Sequence, residues 1–311
     1  MRRSLLELNS PDTFALLVPG YNATRFLQRL REQVDRLKPA FDEVLFADDA
    51  SGDDTADRAE ALGFTVIRLP RNLGPGGARN ALARAATANW IHFHDVDDEL
   101  APNYLARVRP AAGLDRDAVL HFVDFIDEKT RALIVRWKFD PDLLAADAAA
   151  LLLHGPMPTM SSLIRRETFL SVGGFNEELR CFEDGDLHFR LAAGGARWAC
   201  VPEVLEWSLR HSQGAGSNQH YCLQCRLKFL EQYAATLAPR FREHVASEAE
   251  VVAGRLALAN DVPAARRAIA LCRSLGSNPP SSRHPIVRAL KPFLPAHLLL
   301  RWQARRRQGA V

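Results

Sequence analysis

The first hundred residues alternate short apolar runs with segments of helical spacing, and this alternation is the feature that most limits the fold. Apolar runs that predict buried strands lie at 14–19, 43–49, 64–70 and 90–100. Strands that alternate with helices form parallel crossovers, so the sequence predicts an α/β sheet with helices on both faces. The intervening helices are predicted at 24–37, 53–63 and 78–88.

Polar or turn-forming residues follow each of these four predicted strands. In chain order they are Pro-Gly-Tyr at 19–21, Asp-Asp at 48–49, Arg-Asn at 71–72 and Asp-Val-Asp-Asp at 95–98. In open α/β sheets, ligands bind beyond the carboxyl ends of the strands. We therefore expect these residues to gather at one edge of the sheet and to form a binding site there.

Three carboxylates, those of Asp95, Asp97 and Asp98, end the fourth predicted strand. Like charges this close raise one another's pKa values unless a cation offsets them. Mg²⁺ and Mn²⁺ accept oxygen ligands and bridge carboxylates to substrate phosphates. Residues two apart in an extended segment face the same side, so we expect Asp95 and Asp97 to address one ion or sugar together. The alternative is a solvated turn that caps the next helix.

Two other strand ends have both a binding and a structural interpretation. Asp48 and Asp49 can accept hydrogen bonds from a nucleobase or ribose, or serve in capping the next helix. The glycines within 74–77 precede a helix, but their spacing fits neither the dinucleotide fingerprint nor the P-loop. Arg71 and Arg79 are better placed to meet a diphosphate, and the alternative is that they are surface arginines.

The alternation loosens after about residue 115, and the sequence predicts two domains, 1–217 and 218–311. From residue 219 onward the pattern is helical, so the second domain is expected to be a small helical extension. Between residue 115 and the second domain, the sequence predicts two strands at 118–127 and 132–139 that form a hairpin. It then predicts a strand, a short helix and a Gly-Gly turn within 159–175, a helix at 182–195 and a strand at 197–211.

Positive charge is concentrated at the C-terminal end. Ten of the 40 Lys and Arg residues lie within 262–311, which contains no Asp or Glu, so the net charge of +3 conceals an acidic remainder. Residues 286–311 also carry leucines, Phe293 and Trp302. We expect this segment either to lie on an anionic membrane surface or to pack as a helix with a solvated basic end. The acidic remainder argues against nucleic acid as a partner.

No stretch approaches the ~20 apolar residues that a membrane span needs, and the first residues lack the apolar run of a signal peptide. The expected location is therefore the cytoplasm, with peripheral contact on the inner membrane face if the basic segment binds lipid.

Six motifs occur in the order seen in family 2 glycosyltransferases, and over roughly residues 14–215 the chain resembles that family. The resemblance implies a GT-A fold, in which a mostly parallel nucleotide-sugar-binding sheet is flanked by helices. It also implies an inverting reaction and a nucleotide-diphosphate sugar as the donor. The motifs are VPGYN at 18–22, FADDASGDDT at 46–55, RNLGPGGARN at 71–80, HDVDDELAPNYL at 94–105, VGGFNEEL at 172–179 and EDGDLHFRL at 183–191.

The same resemblance implies which residues bind the donor. Asp49 matches the contact to the edge of the nucleobase, and Arg190 matches a residue that supports its helix. The expected donor contacts are Pro19, Tyr21, Asn22, Asp48, Asp49, Arg71, Asn72, Arg79, Asp95, Val96, Asp97 and Arg190.

Catalytic and metal-binding roles are also implied by the resemblance. Asp184 matches the general base, with Glu183 as its catalytic neighbour. Asp97 and Asp98 match the carboxylates at the metal, which is expected to be Mg²⁺ or Mn²⁺. His211 matches a histidine that closes over the metal or the diphosphate in many members of the family.

The predicted function is therefore transfer of a sugar from a UDP-, GDP- or dTDP-linked donor to a hydroxyl of a saccharide or lipid-linked glycan, in envelope or surface glycan synthesis. Two alternatives stay open. A sugar-phosphate nucleotidyltransferase would need a Gly-rich phosphate loop near the first strand, which VPGYNATRF does not contain. A non-catalytic nucleotide-sugar-binding protein would bind the donor without turnover.

Overall fold

The first four strands alternate with helices and lie parallel in one sheet, as predicted. The elements are β1 (Phe14–Gly20), α1 (Leu27–Arg36), β2 (Glu43–Asp48), α2 (Thr55–Ala61), β3 (Thr65–Arg68), α3 (Gly74–Ala85) and β4 (Trp90–Phe93). The order of the strands across the sheet is β3-β2-β1-β4. Strands β1 and β4 are buried almost throughout because helices cover both of their faces.

Five further strands extend this sheet beyond β4. The elements are β5 (Glu99–Leu100), α4 (Tyr104–Val108), β6 (Ala118–Asp127), β7 (Leu133–Trp137), α5 (Pro141–His154), β8 (Ser162–Arg165), α6 (Arg166–Ser171), α7 (Glu183–Ala193) and β9 (Trp198–Arg210). The order continues β4-β8-β6-β9-β5, and β7 pairs with β6 in the predicted antiparallel hairpin. Strand β8 is antiparallel to both neighbours, whereas β9 is parallel to β6.

The chain divides into two units, residues 1–212 and 213–311. This computed structural model describes residues 12–113, 115–210, 218–236, 239–281 and 284–308. The nine-stranded sheet belongs to the first unit, so the predicted α/β class is confirmed.

Apolar side chains fill both sides of the sheet. Leu16 and Val18 of β1 face the side where α1 packs, whereas Leu17 faces the side where α3 packs. This arrangement follows from the strand period of two, which sends successive side chains to opposite faces. The sheet is thereby held from both sides, and the loops at the carboxyl ends of its strands are positioned by a rigid support.

Helix α3 begins earlier than predicted. The sequence placed its start at 78, whereas the structure starts it at Gly74. The carboxylate of Asp49 accepts hydrogen bonds from the backbone N–H groups of Leu73 and Gly74 and so satisfies two donors at this helix end. The glycines predicted to lie in a loop therefore form the first helical turn.

Strand β4 ends earlier than predicted. The expected strand over 90–100 stops at Phe93, and residues 95–98 form a turn in which the N–H of Asp98 donates to the carbonyl of Asp95 over 3.0 Å. The expectation that Asp95 and Asp97 share one face of an extended strand is therefore wrong. We define residues 95–98 as the acidic turn.

The second unit is helical, which confirms that prediction. Its helices are α8 (Gln219–Ala234), α9 (Arg242–Leu258), α10 (Val262–Ser274), α11 (Pro285–Leu290) and α12 (Ala296–Gln308). Helices α8, α10 and α12 pack against α9, which is buried along much of its length. None of the described helices combines the length and the apolar character that a membrane crossing requires.

Candidate active site at the strand ends

The loops that follow β1 and β2 bind each other. The N–H of Asn22 donates to Ser51 Oγ over 2.9 Å, and the N–H of Gly52 donates to Asn22 Oδ1 over 2.8 Å. Tyr21 precedes this link and is 54% exposed, while Pro19 is half-buried within β1. An exposed aromatic ring at the end of a central strand is a surface on which a flat base can stack.

Asp48 and Asp49 are both buried at the end of β2, but they have different partners. The two carboxylate oxygens of Asp49 accept from Leu73 N–H over 2.6 Å and from Gly74 N–H over 2.8 Å. Burial raises the pKa of Asp49 although these hydrogen bonds oppose the rise. One oxygen of Asp48 accepts from Ser51 N–H over 3.2 Å, and the other has no hydrogen-bond partner in the described chain. Asp48 therefore has one buried oxygen that is unpaired in the described residues.

The loop before α3 carries further polar groups. Arg71 and Asn72 are exposed, and the Asn72 amide donates to the carbonyl of Asp49 over 3.3 Å. Arg180 donates in turn to Asn72 Oδ1 over 3.3 Å. Sequence analysis did not single out Arg180, because nothing local to it indicates that it lies beside a loop more than a hundred residues earlier.

Arg79 connects the acidic turn to the first residue of α7. Its guanidinium is 5% exposed and donates to Asp95 over 2.6 Å and to Glu183 over 3.0 Å. Burial opposes the positive charge, but these two carboxylates outweigh burial and raise the pKa of Arg79. The sequence interpretation had Arg79 meeting a diphosphate or lying on the surface, whereas the structure commits its guanidinium to these two protein carboxylates.

Asp184 is half-buried in the first turn of α7, and one of its oxygens accepts from Gly185 N–H over 2.7 Å. Burial raises the pKa of Asp184 to about 7, and the negative charge of Glu183 adds to the rise, while Gly185 and Arg79 oppose it. A carboxyl group that titrates near neutral pH can take a proton from a hydroxyl group, which is the chemistry of a general base.

The acidic turn contains two carboxylates beyond that of Asp95. Asp97 is half-buried, and Asp98 is buried with one oxygen accepting from the N–H of Leu209 in β9 over 2.8 Å. Burial raises the pKa of Asp98 well above its ordinary value, and the charges of Asp95, Asp97 and Glu206 raise it further. Hard oxygen ligands under this mutual repulsion suit Mg²⁺ or Mn²⁺. His211, expected at the same metal, lies outside the described residues.

Two residues expected at the donor have contacts that support the fold. Arg190 pairs with Asp186 over 2.6 Å and donates to the carbonyls of Val172 and Gly174 over 2.7 and 2.6 Å. It thereby fastens α7 to the predicted Gly-Gly turn. Val96 is partly buried against the apolar core beside β1.

Sequence analysis missed a buried group beneath the acidic turn. His92 of β4, His94 directly after β4 and Glu206 of β9 are all fully buried and lie together. The spacing of the two histidines, two residues apart in an apolar run, was the available signal because in an extended segment it places both rings on one face.

Residues 15–170 match the family model described as Glycosyl transferase family 2. The chain belongs to glycosyl transferase family 2. It is 28% identical over 212 residues to the succinoglycan biosynthesis protein ExoU of Rhizobium meliloti, over 62% of this chain and 60% of ExoU. It is 26% identical over 186 residues to an uncharacterized glycosyltransferase of Haemophilus influenzae, over 57% of this chain and 61% of the relative. The match thus spans about three fifths of the length of these curated relatives.

Solved structures share the fold at lower identity. The mannosyltransferase PcManGT from Pyrobaculum calidifontis, in complex with GDP-Man and Mn²⁺, has a TM-score of 0.57 and is 20% identical in sequence. The match covers 94% of this chain and 86% of the PcManGT chain. S. aureus TarS 1-349 in complex with UDP has a TM-score of 0.55 at 16% identity, over 85% of this chain and 88% of its own. These likenesses confirm the predicted GT-A type of fold.

Proposed function

We propose that this family 2 glycosyltransferase moves a sugar from a nucleotide-diphosphate donor to an acceptor hydroxyl, with inversion at the anomeric carbon. The observation that carries the proposal is the position of Asp184. This half-buried carboxyl group has a pKa of about 7 and is joined through Glu183 and Arg79 to the acidic turn. On this proposal, one edge of the sheet combines a proton acceptor with an acidic site for a cation and a diphosphate.

The nucleoside half of the donor is proposed to bind between the ends of β1 and β2. Tyr21 offers an exposed ring for stacking, and the unpartnered oxygen of Asp48 offers an acceptor for a base N–H. The family resemblance implied Asp49 as the contact to the base edge, but both oxygens of Asp49 already bind backbone N–H groups. We therefore propose Asp48 as the contact and Asp49 as the residue that holds the loop before α3.

The diphosphate and a divalent cation are proposed to bind at the acidic turn. Asp97 and Asp98 are proposed to hold Mg²⁺ or Mn²⁺, as the family resemblance implies, because both carboxylates belong to the acidic turn, where a cation would offset their negative charges. Such an ion, when bound, offsets the negative charge that develops on the leaving diphosphate. The solved structures named above are complexes with UDP or with GDP-Man and Mn²⁺, which supports a donor of this class.

Asp184 then acts on the acceptor. The acceptor oxygen forms a bond to the anomeric carbon on the face opposite the diphosphate, and the bond from that carbon to the diphosphate oxygen breaks. The hydroxyl proton passes to Asp184, whose raised pKa allows it to hold that proton at neutral pH. Attack from the opposite face inverts the configuration, so no covalent enzyme intermediate is needed.

A donor panel tests this proposal. UDP-, GDP-, CDP- and dTDP-sugars are added with Mn²⁺ or Mg²⁺, and thermal unfolding is followed together with transfer and hydrolysis. A bound donor at about 100 times its Kd stabilises the protein by ~2.7 kcal/mol. We expect Asp48→Asn to weaken this effect. Asp35→Asn is the control, because Asp35 is exposed at the end of α1 that lies away from the strand carboxyl ends.

The outcomes of the panel separate the alternatives. Donor binding without transfer to any acceptor or hydrolysis would favour the non-catalytic nucleotide-sugar-binding protein. Stabilisation by none of the four donor classes would contradict the proposed donor. The family assignment leaves the nucleotidyltransferase alternative without support.

We further propose that the acceptor is a lipid-linked or envelope glycan reached at the inner membrane face, through helices α11 and α12. Leu299 and Leu300 of α12 are buried within the helical unit, but Phe293 between the two helices is 81% exposed. The same segment exposes further apolar side chains and contains no acidic residue, as an anionic surface requires. The other exposed apolar residues are Ile286, Leu290, Leu294, Leu298 and Trp302.

Vesicle sedimentation tests the membrane contact. We expect binding to phosphatidylglycerol vesicles and not to phosphatidylcholine vesicles. Phe293→Ser should weaken binding through lost apolar contact, and Arg288→Gln by about fivefold, since one basic residue contributes ~1 kcal/mol. Arg242→Gln, on a different helix, is the control. Equal binding to both vesicle types, or none to either, would refute the contact without affecting the proposed chemistry.

A further inference from the structure

A second group of ligating side chains lies beneath the acidic turn, between two strands of the same unit. His94 Nδ1 lies 2.5 Å from Glu206 Oε1, and His92 Nε2 lies 3.1 Å from Glu206 Oε2. All three side chains are fully buried, and one ligand atom from each lies within 4.8 Å of the others. Two imidazoles and a carboxylate form a donor set that Zn²⁺ binds, whereas Mg²⁺ prefers oxygen alone.

Two atoms of this group are without hydrogen-bond partners. His92 Nε2 and Glu206 Oε2 face each other at 3.1 Å but do not form a hydrogen bond, and neither has another partner in the described residues. Buried polar atoms are nearly always paired, so two opposed orphan atoms call for a ligand between them. Two ligands about 2.0–2.1 Å from a tetrahedral Zn²⁺ ion lie about 3.3 Å apart, which is close to this separation.

The outer contact of His92 matches that of a metal-bound histidine. Its Nδ1 lies 3.0 Å from the carbonyl oxygen of Ser162 and 3.0 Å from the hydroxyl of Tyr104. A ligating histidine typically donates its second ring N–H to such an oxygen, which fixes the tautomer. With the proton on Nδ1, the lone pair of Nε2 is available on the side of Glu206.

Charge supports the same conclusion. Glu206 is fully buried, and in the described residues its two oxygens face the rings of His92 and His94 and no lysine or arginine. A buried carboxylate without a fixed positive charge is costly, and a divalent cation would supply that charge.

We propose that His92, His94 and Glu206 bind a zinc-class divalent ion that cross-links β4 to β9, separate from the Mg²⁺ or Mn²⁺ of the donor site. Strand β4 leads directly into the acidic turn, and Leu209 of β9 donates to Asp98 of that turn. An ion between the two strands would therefore hold the acidic turn in place. Because the group has no solvent exposure, the ion would enter during folding and leave only when the protein unfolds.

Retention of the ion tests this proposal. The full chain is refolded with Zn²⁺, treated with EDTA under native conditions and analysed by elemental mass spectrometry. We expect one Zn²⁺ per chain in the wild type and in Asp97→Asn, and its release only on addition of urea. Glu206→Gln and His94→Gln should lose it. His188→Gln should keep it, because His188 is equally buried but both of its ring nitrogens already have protein partners.

A variant of Gln33, which contacts His94 but is not a proposed ligand, keeps the test decisive if the ligand variants do not fold. The amide nitrogen Nε2 of Gln33 lies 2.7 Å from His94 Nε2, and Gln33 Oε1 accepts from the N–H of Leu100. Metal binding at Nδ1 of His94 requires a proton on Nε2, which the amide nitrogen of Gln33 cannot accept and an oxygen in its place can. Gln33→Glu can meet both demands with its two oxygens, so we expect it to strengthen Zn²⁺ binding by about tenfold.

Cobalt provides an independent signature. Protein refolded with Co²⁺ should show the visible absorption of a tetrahedral ion, and Asp97→Asn should show it equally. A wild type that binds neither Zn²⁺ nor Co²⁺ after refolding would overturn the proposal and leave a shared proton as the bond within the group. Zn²⁺ that stays bound in Glu206→Gln and His94→Gln would overturn it as well.

Discussion

Asp184→Asn removes the proposed base and keeps the size of the side chain. The asparagine oxygen can still accept the hydrogen bond from Gly185 N–H, so α7 should begin at the same residue. General base catalysis contributes about 10²–10⁴-fold, so we expect kcat for transfer to fall by that factor. Donor binding, measured by thermal unfolding with nucleoside diphosphate, should be unchanged.

The pH profile makes the same prediction sharper. Because the pKa of Asp184 is about 7, half of the molecules carry the base form at pH 7. Below that pH the rate should fall about tenfold for each pH unit, and above it the rate should level off. Asp184→Asn should lose this acid limb together with most of the rate.

Glu183→Gln is the matched variant. The negative charge of Glu183 raises the pKa of Asp184, so its removal should shift the acid limb to lower pH. The glutamine oxygen can still accept from Arg79, and the plateau rate should be largely kept. A folded Asp184→Asn enzyme with a rate near that of wild type, or an acid limb that Glu183→Gln leaves in place, would refute the reasoning.

Stability should respond in the opposite direction to activity. The pKa of Asp184 is raised from its ordinary value of 3.8 in the folded state, so ionisation of Asp184 favours the unfolded state. The free energy of unfolding should therefore fall as the pH rises from about 4 to 7. Asp184→Asn removes this effect. The variant should therefore unfold at a higher temperature than wild type at pH 8, and the two should converge below pH 4. An equal difference at both pH values would contradict the assigned pKa.

Three further variants test the supports of the site by urea unfolding. Asp49→Asn should lower the free energy of unfolding by about 1–2 kcal/mol, because one capping hydrogen bond is lost; no loss would exclude this cap. Arg79→Met should lower the free energy of unfolding by about 3–5 kcal/mol, because it leaves two carboxylates unpaired. It should also move the acid limb of the pH profile to higher pH, because Arg79 lowers the pKa of Asp184. An acid limb that does not move would exclude this effect of Arg79 on Asp184. Gly174→Ala should cost more than Gly173→Ala, because both have positive φ but only at 174 would a Cβ lie 2.4 Å from Asn80 Oδ1; equal costs would contradict this.

The sequence predicted the strands, the parallel orientation of the first four and the edge of the sheet that carries their polar residues. Its errors concern short segments where a tertiary contact overrides local pattern. Residues 95–98 form a turn and do not continue β4, because the carboxylate of Asp98 accepts a hydrogen bond from the N–H of Leu209 in β9. The glycines at 74–77 enter α3 because a carboxylate from β2 caps them.

Apolar periodicity can be read from the sequence because it repeats over a few residues, and it determined the α/β class and the sheet edge at which we propose the site. The partners of charged groups are decided by which segments the folded sheet brings together. Arg79 meets Asp95 and Glu183, and the last of these is 104 positions away in the chain. The raised pKa of Asp184 and the buried histidine group likewise exist only in the tertiary structure, because desolvation depends on every segment that covers them.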